Sequence, residues 1–292
     1  MPMNEDPESI EDSRMSLADH LAELRTRVMR SVIAIGLVFV VAWTFHETLA
    51  DWVFQPYERA AAMLNEELGE RFDAHVEQDP TRWEEFFTSE DPDQREVRVE
   101  LRVPEKMRGD AASQGFFFYM RVCFMFALFF GGPVLLWQMW QFIAAGLYKR
   151  ERNLTMRYFP LSVLLFVSGV LFGYFMMVPY ALYFLARMTL EQIHYWESID
   201  NYWSFLTSLT LALGAVFQLP VVMLGLTRLG LAGPAQFSAY RGHFIVVALV
   251  MAAVLTPPDP FTQMLMAIPM VVLYEFGNLM SRRVPVSEAS TE

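Results

Sequence analysis

Charge is scarce in this chain. Only 19% of its 292 residues are Asp, Glu, Lys or Arg, against about a quarter in an ordinary soluble domain. Hydrophobic residues make up 54% and aromatic residues 15%, a balance that marks an integral membrane protein. Positive charge is the scarcer sign: 22 Lys and Arg face 33 Asp and Glu, for a formal net charge of -11. No basic surface is available to displace counterions from phosphates, which excludes a nucleic-acid binder. The single cysteine, Cys123, excludes an intrachain disulfide. Four of the five histidines (His20, His75, His194 and His243) are scattered. The fifth opens His46-Glu47-Thr48-Leu49-Ala50, which starts like a zinc-protease helix but has Ala50 where a second histidine must stand to share a face. P-loop, nucleophile-elbow and dinucleotide-glycine patterns are all missing, so neither metal nor cofactor is expected, and no enzymatic activity. The acidic first residues lack the positive charge of a secretory leader, so the first apolar run is expected to stay as an anchor.

Long apolar runs, by contrast, are plentiful. A membrane-crossing helix needs about 20 mainly apolar residues, and six runs meet or approach that length. Within one membrane domain, 1–292, the expected spans are 28–46, 118–143, 158–186, 202–226, 241–256 and 261–279. An interfacial helix is expected at 16–27, a long outer loop or cap at 48–115 and a further outer loop at 187–201. The inner loops fall at 144–157 and 227–240, the outer turn at 257–260, and the tails at 1–14, read as disordered, and 280–292. Lys and Arg collect near alternate ends: Arg25, Arg27 and Arg30; Lys149, Arg150, Arg152 and Arg157; Arg228 and Arg241; Arg282 and Arg283. The positive-inside rule then sets both termini in the cytoplasm.

In the long outer loop, Glu96 to Val103 alternates polar and apolar residues, the pattern of a half-buried strand. The fifth and sixth apolar runs are short. At about 15 residues each they cover roughly 23 Å of a roughly 30 Å hydrocarbon layer, so either the bilayer thins or a partner covers them, or they tilt less than average and are buried by their neighbours. Breakers lie inside several spans: Gly131-Gly132-Pro133, Pro179, Pro220 and Pro269. They predict kinked helices, which either enclose a concave face or serve only to improve packing. Gly169 and Gly173 form a small-xxx-small pair suited to packing within the chain.

A few polar residues need an explanation. Gln218 sits in the fourth run among Val216, Phe217 and Leu219. It marks a functional face, or it bonds the backbone that Pro220 frees two residues on. Glu275 is expected to reach the interface or to pair with Arg282 or Arg283. In the interfacial helix, Ser16 is an N-cap and Leu17, Leu21, Leu24 and Val28 form one apolar stripe. There Glu23 shares a face with Asp19 and also stands four residues before Arg27, the spacing of a helical ion pair. Glu151 is the lone acid in Lys149-Arg150-Glu151-Arg152; its local alternative is a weak exposed salt bridge.

Five strings now align in order: LADHLAELRTR (17–27), WQMWQFIAAGLYKRERN (137–153), FGYFMMVPYALYFL (172–185), FQLPVV (217–222) and LTPPDPFTQMLMAIPMVVLYE (255–275). Together they closely resemble the TatC family, the multi-pass subunit of the twin-arginine translocase, over essentially all six spans. Two features depart from the family pattern: the first outer loop is longer, and Ala145 stands where many members carry proline.

The resemblance implies a receptor for signal peptides bearing paired arginines. Such a receptor works with TatA-type and TatB-type single-span partners to export folded proteins at the expense of the proton-motive force. By position, Glu23 and Glu151 are implied to bind the arginine pair, with Leu24, Arg25 and Phe142 in the same patch. Two separated carboxylates suit two consecutive guanidiniums, because each offers a planar fork that lysine lacks. Gln218 is implied to face the concave side of the membrane domain. Thr256 and Gln263 are implied to contact partner helices, and Asp259 matches the acid of the family's outer turn, where a helix N-cap is the local alternative. The expected architecture is therefore an all-α membrane protein with six kinked helices forming a cup, short fifth and sixth helices, and N-in/C-in topology in the bacterial inner membrane. The expected partners are signal peptides, TatA-type and TatB-type subunits, lipid and further copies of the chain. A small-solute secondary transporter is the alternative, motivated by Gln218 and the broken helices.

Overall fold

The computed structural model describes residues 17–78, 113–145, 158–189, 198–228, 230–256 and 259–283. The expected strand at Glu96 to Val103, and most of the inner loop that holds Glu151, lie outside them. Within the described residues the chain is built of helices: α1 (Leu17–Trp43), α2 (His46–Gln78), α3 (Gln114–Ala145), α4 (Phe159–Phe172), a π-helical turn (Gly173–Met177), α5 (Val178–Thr189), α6 (Ile199–Val216), α7 (Leu219–Arg228), α8 (Pro234–Ala239), α9 (Arg241–Leu255) and α10 (Pro260–Ser281). Five stretches are long and apolar enough to cross a membrane: His20–Trp43, Gln114–Ala144, Phe159–Met188, Ile199–Arg228 and Pro260–Ser281. Arg241–Leu255 is a shorter apolar helix. We call the end of the bundle carrying Glu23 the near end and the end carrying Trp43 the far end.

Three expectations change. The surface helix expected at 16–27 and the span expected at 28–46 are one continuous helix, α1. No proline or glycine interrupts it at the junction, so the polar residues of its first turns form a stripe on a long rod. The outer loop expected from residue 48 is helical as far as Gln78. Its sequence is rich in helix formers, as in Glu58-Arg59-Ala60-Ala61-Ala62-Met63-Leu64, and Pro56 is accommodated inside it. The sixth helix is not short. It runs 22 residues, to Ser281, or about 33 Å, because Glu275 pairs with Arg241 at 2.5 Å instead of ending the apolar stretch. The fifth, at 15 residues, is as short as expected.

The breakers act in different ways. At Pro220 the fourth span divides: α6 stops at Val216, Phe217 and Gln218 form a turn, and α7 resumes at Leu219. Ahead of Pro179 the third span widens into the π turn, a usual response where a proline ring crowds the preceding carbonyls. Pro133 and Pro269 sit within unbroken helices. The Gly169 and Gly173 pair faces α6: a Cβ on Gly169 would lie 2.7 Å from the Leu213 carbonyl oxygen, and one on Gly173 would lie 3.1 Å from Thr210 Cα.

The core sits toward the far end, where α2 lies against α3, the π turn, α5 and α6. Val53, Val122, Cys123, Val178, Leu206 and Leu209 are fully buried there. Tyr202 of α6 is also buried and donates its hydroxyl to the Val53 carbonyl at 2.5 Å. Arg187 reaches Glu67 at 3.1 Å and holds the outer part of α2 to α5. By contrast α1 packs mainly on α3 and leaves Leu21, Val28, Val32, Leu37 and Val40 more than half exposed, a face that only lipid or a partner makes favourable.

Candidate functional site

At the near end, α1 and α3 cross with polar faces opposed. Glu23 and Arg27 are one helical turn apart, in the favourable order with the acid first. Arg27 donates from Nη2 and Nε to the same oxygen, Glu23 Oε1, at 2.6 and 3.1 Å. Its Nη1 turns to α3, donating to Gln138 Oε1 at 3.3 Å and also to Gln141 Oε1. All three guanidinium nitrogens are therefore engaged. The two charged side chains are only 13% and 16% exposed, which separates this pair from the ordinary surface ion pair of negligible worth. Next to it His20 stacks on Phe142, ring centroids 4.3 Å apart. Two buried polar atoms remain without a hydrogen-bond partner among the described residues, Glu23 Oε2 and His20 Nδ1.

Of the recognition residues expected from the sequence, Glu23 and Phe142 meet in this cluster. Leu24 and Arg25 point away from it and are exposed, and Glu151 lies outside the described residues. The local ion-pair reading of Glu23 is the arrangement found. His20, which the sequence shows only as one of four scattered histidines, joins Gln138 and Gln141 as the site residues the sequence did not single out. Their signal is spacing: His20, Glu23 and Arg27 fall on one face of α1, and Gln138 with Gln141 and Phe142 on one face of α3.

Gln218 stands at the break between α6 and α7. Its amide does not bond the backbone that Pro220 frees. It accepts from Ser162 Oγ at 2.5 Å and donates Nε2 to the Ser162 carbonyl at 3.0 Å, joining the fourth span to the start of the third. At the same near-end rim, Arg228 donates to the Tyr158 hydroxyl at 2.9 Å.

At the far end, Asp259 is the N-cap of α10. It accepts from Thr262 N at 2.7 Å and from the Thr262 hydroxyl. Thr256 is buried and donates to the Ala252 carbonyl at 2.9 Å, and Gln263 Nε2 donates to the Leu249 carbonyl at 3.0 Å. Of these three residues, Gln263 ties α10 to α9, whereas Thr256 and Asp259 bond within the ends of their own helices.

Long apolar helices, packed through small residues and carrying polar clusters at their ends, define a multi-pass membrane protein. Residues 19–269 match the family described as Sec-independent protein translocase protein (TatC), and the chain belongs to that family. It is 33% identical to TatC of Escherichia coli K12 over 94% of this chain and 90% of that one, and 33% identical to TatC of Magnetococcus marinus over 96% and 90%. With TatC of Halothiobacillus neapolitanus it shares 32% identity over 90% of this chain, spanning 61% of that relative's length. The fold is similar to the crystal structure of the twin-arginine translocase receptor TatC, with a TM-score of 0.68 and 27% identity over 90% of this chain and 98% of that one. Membership places the chain among the membrane components of Sec-independent protein translocation and sets aside the solute-transporter alternative.

Proposed function

We propose that this chain is the receptor and core membrane subunit of a twin-arginine export system, binding the paired arginines of signal peptides on folded cargo. The observation that carries this reading is the Glu23 site. A largely buried carboxylate, backed by two glutamine carbonyls and an aromatic stack, holds a guanidinium through all its nitrogens. The same chemistry suits an incoming arginine, and Glu151 supplies the second carboxylate for the second arginine. A planar, delocalised guanidinium satisfies such a fork, whereas a lysine ammonium is a point charge with different geometry.

The wider reading has six membrane-crossing helices, with both termini in the cytoplasm of the bacterial inner membrane. It is supported by the basic residues gathered at the near end: Arg27, Arg228, Arg241, Arg282 and Arg283. After recognition, the apolar part of the signal enters along the concave face beside Gln218. TatA-type and TatB-type helices dock near Thr256, Asp259 and Gln263, and the proton-motive force drives passage. The subunit binds and positions, and carries out no covalent chemistry.

The test is binding of the purified chain to a peptide with two consecutive arginines ahead of an apolar segment, against the same peptide with two lysines. The expected result is an arginine preference that collapses in Glu23→Ala and in Glu151→Ala. Equal binding of the two peptides by the wild-type protein overturns the proposal.

A further inference from the structure

Arg27 already presents to Glu23 the group that a signal arginine would present. Both nitrogens that face the acid converge on one oxygen, Oε1, leaving Oε2 buried and unpartnered. The third nitrogen, Nη1, is held by two neutral acceptors, Gln138 and Gln141, on the other helix. Resting on the receptor reading above, we infer that Arg27 is a built-in occupant of the arginine site, that an incoming arginine displaces it, and that Gln138 and Gln141 retain it once displaced.

The exchange keeps Glu23 paired and adds one positive charge to the site, because Arg27 stays on the glutamines. One guanidinium leaves the carboxylate and another takes its place, so Glu23 is never left as a lone carboxylate in a site nearly closed to water, which would be costly. Arg27 keeps its Nη1 bonds to the glutamines throughout, and turning about that anchor frees Oε1 without sending the side chain into solvent. The glutamines suit this holding role because their carbonyl oxygens accept from a guanidinium but do not compete with Glu23 by charge.

Competition with an internal arginine also sets an affinity threshold that every ligand has to clear. A ligand must bind Glu23 at least as well as Arg27 does, which sets a threshold on top of the direct contact. An arginine replaces the lost fork with an equal one, whereas a lysine, offering a point charge in place of the planar fork, does not. The cost of displacing Arg27 falls equally on both ligands and cancels in their difference, so the arginine preference resides in the contact with Glu23, while Arg27, Gln138 and Gln141 set the affinity threshold although the signal itself need not touch all of them.

The experiment uses the full chain in lipid nanodiscs and measures the affinity of the paired-arginine peptide and of its paired-lysine counterpart. Arg27→Gln removes the internal competitor. We expect it to bind both peptides about tenfold more tightly than the wild type, leaving the arginine preference unchanged. Arg27→Lys, which keeps the charge and loses the fork, falls between that variant and the wild type. Gln138→Leu/Gln141→Leu removes the holding place: it weakens arginine-peptide binding when Arg27 is present and has no such effect in the Arg27→Gln background. Should Arg27→Gln not fold, the Arg27→Lys series and the glutamine pair carry the test. A wild-type protein that fails to distinguish the peptides overturns the receptor reading and this inference with it. A wild-type arginine preference that depends on Glu23, with binding unchanged or weakened in the Arg27 variants, overturns this inference alone.

Discussion

Gln218 and Ser162 bond to each other at both ends of the amide, with one bond going to the hydroxyl and one to the backbone carbonyl of the same residue. Ser162 is fully buried, so this two-point clasp fixes the broken fourth span against the first turn of the third, and water does not reach the serine to replace it. Gln218→Leu removes both bonds and orphans the serine, and Ser162→Ala removes one. Within a membrane each interhelical bond contributes about 1 kcal/mol. Thermal unfolding in detergent is expected to rank the proteins wild type, Ser162→Ala, Gln218→Leu. Normal export by Gln218→Leu would defeat the role proposed for the concave face.

Among the described glycines, Gly169 makes the closest approach to the backbone of another helix. A methyl group there meets the Leu213 backbone and the Phe217 side chain, both inside 3 Å. Backbone cannot step aside as a side-chain tip can, so Gly169→Ala is expected to cost about 1–3 kcal/mol. Gly36 has nothing within 4 Å of its would-be Cβ; Gly36→Ala serves as the control and should be neutral or slightly stabilising. The loss of helical signal on heating reports both.

Asp259 has a capping role that separates from any partner contact. Asp259→Ala removes the acceptor for Thr262 N and is expected to lower stability by about 1 kcal/mol, whereas Asp259→Ser restores most of it. If crosslinking of a TatA-type or TatB-type helix to this end survives in Asp259→Ser, the residue acts there through the shape of the turn; if it is lost, the carboxylate itself is what the partner meets.

Topology can be read with one reagent, because Cys123 is buried in the core and there is no other cysteine. The native thiol is expected to resist a water-soluble maleimide until the protein unfolds. In a Cys123→Ala background, Asn201→Cys should be labelled from outside intact cells by a membrane-impermeant maleimide and Arg283→Cys should not. The reverse pattern would refute the proposed orientation.

Much of the bundle was legible in the sequence because lipid exposure demands long apolar runs, and runs such as Gln114–Ala144 and Ile199–Arg228 carry that signal in one dimension. Two of the three readings that changed took a charge as a boundary. Glu23 and Arg27 looked like the surface of a separate helix, and Glu275 looked like the end of one, yet each is neutralised by a partner, one local in the case of Glu23 and one on the next helix in the case of Glu275. The acid of the candidate site could be named from its spacing to Arg27. The glutamines that complete it could not, since Gln138 and Gln141 lie more than 100 positions away and only the crossing of α1 with α3 brings them to the guanidinium.

The π turn at Gly173–Met177 gives the third span two phases. A π turn commonly holds one residue more than the α-helix around it, and one residue corresponds to about 100° of rotation. The half that presents Gly169 to α6 and the half that presents Tyr183 and Arg187 to Glu67 of α2 are therefore set at angles that a uniform helix of this sequence could not reach together. Deleting a single residue from the turn would restore regularity and cost one of the two seams. The irregularity works as a phase shifter that lets one rod be threaded correctly into two neighbours.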